Sequence, residues 1–464
     1  MSQHQFFSLT SPMPVSAAAL YDWHARPAAF FRLQPPWEAV SIIDQQGHFG
    51  EGFRVTIRAQ ILGPFHQHWI AEIYDVQPGR SFSDRQLSGP FAEWNHTHRM
   101  EPVDDGSSFL HDEISYRLPY GWLGHCLGSG LVQKRLKRMF VYRHALTASD
   151  LKRHQPFLHR PRLTVAMTGS SGLIGSDLAL FLAAGGHRVI RLGRMPPRAT
   201  TVDDGTSTRI WRPDEPLNPS LFEGVDAVVH LAGEPIAEGR WTAAKKQRIR
   251  QSRVGPTRRL AEVLAAAGVK TLIAASAIGI YGDRGDEELT EASEPGTGFL
   301  AEVGREWEAA TEPARMAGVR VINLRIGVVL SPRGGALAKQ LPAFNLGAGA
   351  VLGHGQQWLS WISISDLVGA IHHLLQTETV SGPVNAVAPE PVTNRVFGRV
   401  LARVLKRPYL ATIPAPMLRL MFGELADAAL LSSQRVFPRV LMQSGFAFDH
   451  PELEPALRFL LGRG

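Results

Sequence analysis

The stretch Leu163-Thr-Val-Ala-Met-Thr-Gly-Ser-Ser-Gly-Leu-Ile-Gly175 decides how this chain is read. An apolar run turns abruptly into three glycines, Gly169, Gly172 and Gly175, and then into the helical pattern Leu178, Leu180, Phe181, Leu182. A buried strand, a tight glycine turn and a helix start form the geometry that cradles a pyrophosphate. Gly169 permits the turn, Gly172 lets backbone N–H groups approach the phosphates, and Gly175 lets the helix pack close on the strand. Glycine triplets alone have many uses, but here both flanking elements are legible. The loop therefore reads as a dinucleotide site. It also comes late in the chain, so a separate unit precedes what is normally the first strand of such a domain.

Downstream, strands and helices alternate, as an open parallel α/β sheet of the Rossmann type requires. The second strand is Arg188-Val-Ile-Arg-Leu192, followed by Gly193 and Arg194. An NAD-selective site would place Asp or Glu at this strand end to bond the ribose 2′-hydroxyl. A guanidinium here suits a 2′-phosphate instead, so NADP is expected in preference to NAD. The run 224–236 reads as a fourth strand with a small-residue exit at Leu231, Ala232 and Gly233. One long basic helix is expected from Thr242, its N-cap, to about Ala267. A fifth strand and its loop cover Thr271 to Gly282, and a sixth strand covers Val319 to Leu330.

The first 150 residues read as strands and a closing helix. Polar and apolar residues alternate over 52–61, near Trp69 to Ile73, over Phe91 to Trp94 and over Phe109 to Tyr116, as half-buried strands should. A short helix is predicted from Ser16, its N-cap, to His24, and a long one from Gly130 to Ala145. The pairs His66/His68 and His96/His98 have strand spacing, so adjacent strands would present four imidazoles on one face. Without Cys or carboxylates at ligand spacing they read as surface or hydrogen-bonded histidines, and no metal is expected. The proline-bearing run His154 to Arg162 reads as the linker.

Composition narrows the class. The chain has 464 residues, 20% charged and 44% hydrophobic, which describes a soluble globular protein of about three units. No apolar run is long enough to span a bilayer, and the N-terminus shows no signal-peptide pattern. A single cysteine, Cys126, fits a reducing cytoplasm. The net charge of +7 raises the question of nucleic acid. Its densest cluster, Lys134-Arg-Leu-Lys-Arg138, reads as the solvated face of an amphipathic helix, and no nucleic-acid motif accompanies it. A second run, Lys245 to Arg253, lies in the nucleotide domain and is expected to serve cofactor phosphates.

Taken together, the motifs from Leu163 onward resemble the extended short-chain dehydrogenase/reductase superfamily, in its sugar-nucleotide-epimerase-like branch. Leu231-Ala-Gly-Glu-Pro-Ile, Arg240-Trp-Thr, Gln251-Ser-Arg253, Arg325-Ile-Gly-Val-Val-Leu-Ser and Trp361-Ile-Ser-Ile-Ser-Asp366 narrow it to an atypical epimerase family. Its members end in a small C-terminal domain of the DUF1731 type, here residues 408–464. The first part resembles the α+β helix-grip fold of the SRPBCC superfamily, which leaves an apolar cavity. The implied organisation is a ligand-binding domain over 1–153, a linker over 154–162 and the nucleotide domain over 163–407.

Cofactor contacts implied by this resemblance run along the glycine loop (Gly169, Ser170, Ser171, Gly172, Leu173, Ile174, Gly175). They continue at Arg194, Leu231, Ala232, Gly233, Arg253, Ser276 and Val328. The superfamily's Ser, Tyr and Lys would fall on Ala277, Leu300 and Gly304, so its usual proton relay is missing. Tyr281 and Glu234 are the substitute acids; Tyr281 would otherwise pack on the nicotinamide, and Glu234 would be a loop carboxylate. Arg325 would meet a substrate anion or sit in a buried ion pair, while Lys339, Trp358 and Trp361 flank the substrate pocket. The expectation is a cytoplasmic NADP-dependent oxidoreductase for a small molecule, with a hydrophobic ligand in the N-terminal domain and room for a homodimer. Its rivals are a non-catalytic NADP-binding regulatory protein, since some relatives are linked to cell or plastid division, and a nucleotide-sugar epimerase.

Overall fold

Alternating strands build the first half. The computed structural model describes the chain apart from residues 1–3, 39, 63–64, 196–201, 214, 216 and 464, so the extreme N-terminus read for a signal lies outside it. The first sheet contains β1 (Gln5–Met13), β2 (Val40–Gln46), β3 (Arg54–Leu62), β4 (Phe65–Gln77), β5 (Ser81–Ser88), β6 (Glu93–Asp104) and β7 (Ser107–Arg117). They are antiparallel in the order β1-β7-β6-β5-β4-β3-β2. Helix α1 (Ala17–Ala25) starts as expected, the Ser16 side chain accepting the Ala19 N–H. A short α2 (Pro27–Arg32) follows it.

Helix α3 spans Gly121–His154, well beyond the predicted Gly130 to Ala145. Four glycines among its first ten residues hide the helical pattern, and packing overrides their poor propensity. Trp94, Ile114 and Tyr116 of the sheet meet Leu136 and Phe140 of α3 in one apolar cluster. Sheet, α3 and the α1–α2 corner enclose a cavity of about 800 Å³.

The second sheet is the parallel one. Its strands are β8 (Thr164–Thr168), β9 (Arg188–Gly193), β10 (Thr206–Ile210), β11 (Ala227–His230) and β12 (Thr271–Ala277), followed by Arg320–Ile326 and Gly382–Ala386. The order is β10-β9-β8-β11-β12 and then those two strands, all parallel. Strand order reverses between β8 and β11, which opens a ligand crevice at their C-terminal ends.

Two expected elements are broken. The basic helix is in fact α5 (Ala243–Gln251) and α6 (Val254–Ala266). Pro256 lacks an N–H and its ring clashes with the carbonyl four residues back, so the helix cannot run through Ser252 and Arg253. Thr242 caps α5 as predicted, accepting from the Lys245 N–H. The sixth strand divides at Gly327, where a Cβ would lie 2.7 Å from the Ser360 carbonyl oxygen. The seventh strand, Gly-Pro-Val-Asn-Ala, carries too little apolar pattern to be read in advance.

The halves meet through α4 (Leu173–Ala184), the helix that leaves the glycine loop. Arg32 of α2 bonds Asp150 of α3 at 2.8 and 3.0 Å and Asp177 of α4 at 3.3 Å, all three groups being buried. The C-terminal segment shares a core with helix Asn394–Leu405 through Leu453 and Leu457. It also touches α3, where Arg153 holds both Asp366 and Asp449.

Candidate functional site

The crevice is built around glycines that nothing else can replace. Gly169 has φ +66°, and a Cβ there would stand 2.7–2.8 Å from the Leu231–Ala232 peptide. A Cβ on Gly175 would stand 2.3 Å from the Gly169 carbonyl oxygen. The loop is thus pressed against the exit of β11 on one side and the α4 backbone on the other. Gly172 is the N-cap of α4 and no side chain caps it, so the first-turn N–H groups remain for an anion. Ser171 and Gly172 are exposed, Leu173 and Ile174 half-buried, and Ser170 buried. These residues fit a pyrophosphate.

Around the loop, Arg194 is exposed at the end of β9, and Leu231, Ala232 and Gly233 border the crevice. Thr168 Oγ1 accepts the Leu231 and Ala232 N–H groups at 3.2 and 3.3 Å, fixing that border. Arg191, which the sequence did not single out, braces the loop by donating to the Ser170 carbonyl at 3.0 Å. Arg253 is half-buried over Trp307, 5.0 Å from the ring centroid, and donates to the carbonyls of Ile249 and Glu234. Burial lowers its pKa to about 10. It buttresses the loop at Gly233, where a Cβ would meet its guanidinium carbon at 3.2 Å. Val328 is half-buried with its N–H on the Ser360 carbonyl.

Both expected acids are committed to other partners. Tyr281 has no exposed surface, leaving nothing for a cofactor or substrate to touch. Its hydroxyl lies 2.9 Å from the Thr290 carbonyl and 2.8 Å from Asn385 Oδ1, and accepts from Arg325 Nη1 at 2.9 Å. Burial raises its pKa further. It is a structural tyrosine. Ser276 is likewise turned inward, donating to Glu308 Oε1 at 2.7 Å. Glu308 also takes two bonds from Arg325, so Arg325 is the buried ion pair rather than a substrate anchor. Glu234 receives Lys245 Nζ at 2.8 Å, and that bond holds its carboxyl below the usual range. An ionised, paired carboxylate is no general acid.

The positions of the missing relay carry no polar side chain. Ala277 is exposed at the end of β12, while a Cβ on Gly304 would come 3.0 Å from the Ile280 Cβ. Lys339 Nζ donates to the Ala237 carbonyl at 2.7 Å and steadies the loop beyond Gly233. Trp361 is wholly buried, and Trp358 sits under Arg435 with its N–H on Asp286. Both basic runs are partly engaged in ion pairs. Lys245, Lys246 and Arg250 pair with Glu234, Glu424 and Glu302, and Arg135 pairs with Glu38.

The N-terminal cavity holds a second polar site. His66 and His68 are exposed on β4, and β5 separates that strand from β6, so the four imidazoles do not meet. Instead Asp84 of β5 pairs across from His96, and Asp112 of β7 pairs across from His98, all on the inner face. Asp112 Oδ1 accepts from His96 Nε2 at 2.8 Å and lies 2.6 Å from His98 Nδ1, while Oδ2 faces His144 Nε2 at 2.5 Å. Burial opposes a charge on His96, but Asp84 and Asp112 outweigh it and push its pKa up to about 9. Spacing along the chain could not reveal this cluster, because its carboxylates arrive from neighbouring strands.

Comparison with known proteins agrees with the crevice. Residues 165–387 match the NAD dependent epimerase/dehydratase family, and residues 413–460 match DUF1731, a domain of unknown function. Epimerase family protein Mb2239 of Mycobacterium bovis is 44% identical over 300 residues, 64% of this chain and 98% of that protein. The chloroplastic SDR39U1 homolog of Arabidopsis thaliana is 36% identical, covering 65% of this chain and 87% of its own length. Among solved structures, a nucleoside-diphosphate sugar epimerase from Corynebacterium glutamicum aligns with 98% of this chain and 90% of its own. Its TM-score is 0.80 at 35% identity. Human SDR39U1 solved with NADPH aligns with 64% of this chain and 99% of its own, with TM-score 0.58 and 30% identity. The chain belongs to the NAD dependent epimerase/dehydratase family.

Proposed function

We propose that the chain is an NADP(H)-dependent oxidoreductase acting on a small carbonyl compound, preceded by a helix-grip domain of the SRPBCC type that holds an apolar ligand. The observation that carries the reading is the glycine cradle at the strand-order switch, with Arg194 where an NAD site would place a carboxylate. The human relative solved with NADPH supports the same cofactor. The N–H groups at the start of α4 would hold the pyrophosphate, Arg194 the 2′-phosphate, and Leu231 to Gly233 the wall beside them. When bound, the reduced nicotinamide supplies a hydride to the carbonyl carbon. With Tyr281 and Glu234 committed elsewhere, the proton for the oxygen comes from water, and the chain contributes binding and orientation. Loss of NADPH absorbance against a panel of aldehydes and ketones tests this reading.

A specific observation favours one second reading, a non-catalytic NADP-responsive protein. Ala277, Leu300 and Gly304 occupy the relay positions, and α7 (Phe299–Ala309) packs tightly against Ile280 there. Tight NADPH binding with no turnover across the panel would select it over the oxidoreductase.

A further inference from the structure

The cluster on the cavity wall carries an inference independent of the dinucleotide site. We propose that Asp84, His96 and His98 form a three-ligand site for a divalent metal of the zinc class, with its fourth position open to the apolar cavity.

An ionised carboxylate only accepts hydrogen bonds. His96 Nε2, which hydrogen-bonds Asp112 Oδ1 at 2.8 Å, therefore carries its ring proton, and His98 Nδ1 lies 2.6 Å from the same oxygen. A metal that displaces the second proton of His96 finds a lone pair on its Nδ1, and His98 Nε2 is the ring nitrogen turned toward the same carboxylate. Both of these atoms face Asp84 Oδ2, at 3.0 and 3.7 Å. Three ligand atoms converge there, and a metal ion can take the place of the His96 proton that Asp84 draws to this point. Tetrahedral ligands about 2.0–2.1 Å from zinc stand about 3.3 Å apart, and the two distances bracket that value. The three ligand atoms all lie within 4.8 Å of one another. Asp112 bonds the His96 ring from behind and lies against His98, the carboxylate–histidine support that orients ligands at metal sites.

The fourth position would open on the cavity, which Phe82, Trp94 and Phe140 help to line. It suits water, or the oxygen donor of an otherwise apolar molecule. The contrast with a second histidine group is instructive. His154, His187 and His372 also converge, wholly within the protein. There, however, His187 Nδ1 accepts the Leu163 N–H at 3.1 Å, so its inward Nε2 bears the proton and cannot ligate. Tautomers separate the two groups.

The test uses the full chain, stripped with chelator and titrated with Zn²⁺ and then Co²⁺. Expected are one metal per chain, a tetrahedral Co²⁺ absorption band, and weakening by roughly 100-fold in Asp84→Ala and in His98→Ala. Both of those side chains border the cavity, and an unchanged far-UV spectrum confirms that the variants fold. A His66→Ala/His68→Ala double variant should bind like the parent. The proposal fails if no metal binds, if the variants bind as tightly as the parent, or if NMR shows His96 as an imidazolium in the presence of excess Zn²⁺.

Discussion

Tyr281 illustrates how one side chain's surroundings decide its chemistry. A tyrosine after the fifth strand invites an acid–base role, yet its hydroxyl is shared among Thr290, Asn385 and Arg325 with no surface exposed. Tyr281→Phe should therefore cost about 1–3 kcal/mol of stability in urea unfolding, because it strips a buried bond. NADPH affinity should stay unchanged; a loss of turnover at parental stability would contradict this placement. The glycines behave oppositely. Gly175→Ala puts a methyl 2.3 Å from the Gly169 carbonyl oxygen, so NADPH binding should fall by at least about tenfold, read by fluorescence titration. Those glycines were legible in the sequence because their constraint is local, a turn and a close approach within seven residues. Tyr281 was misread because the groups that bury it come from residues 290, 325 and 385, which no spacing rule connects.

Among the elements, caps could be read and breaks could not. Ser16 and Thr242 cap α1 and α5 as their residue types dictate. The break at Ser252 follows from Pro256, a signal that the continuous basic pattern around it masks. The Asp84–His96 and His98–Asp112 pairs depend on cross-strand register, which the alternation of one strand does not contain. The end of α3 carries its own pH prediction. His154, His187 and His372 pack at ring distances of 4.5 to 5.8 Å, and burial lowers each pKa, that of His187 to about 4. The unfolded chain binds protons that the folded one refuses, so this contribution is complete above about pH 6.5 and is lost as pH falls toward 4. Thermal unfolding of His372→Phe should show a shallower decline over that window than the parent; an identical slope would contradict it.

At the scale of the molecule, α4 joins the cavity domain to the dinucleotide crevice. Arg32, Asp150 and Asp177 bind α2, α3 and α4 in one buried ionic group. Arg32→Ala leaves the buried Asp150 carboxylate uncompensated, Asp177 keeping Arg333, and should cost about 3–5 kcal/mol. Calorimetry should then show the halves unfolding separately rather than in one transition. The order of strands and helices from Leu163 was legible because periodicity and glycine turns state it outright. How the halves dock was not, since Arg32, Asp150 and Asp177 read alone as surface charges. No helix among the described residues is long and apolar enough to cross a membrane.

The central claim is that the crevice binds NADP(H) with Arg194 reading the 2′-phosphate. Titrating the full chain and Arg194→Ala with NADPH and NADH tests it directly. A charge-assisted bond of about 1.5–3 kcal/mol predicts NADPH tighter than NADH by roughly ten- to a hundredfold in the parent. That advantage should vanish in the variant while NADH affinity stays put. Equal affinities in the parent, or a preference that survives Arg194→Ala, would contradict the account.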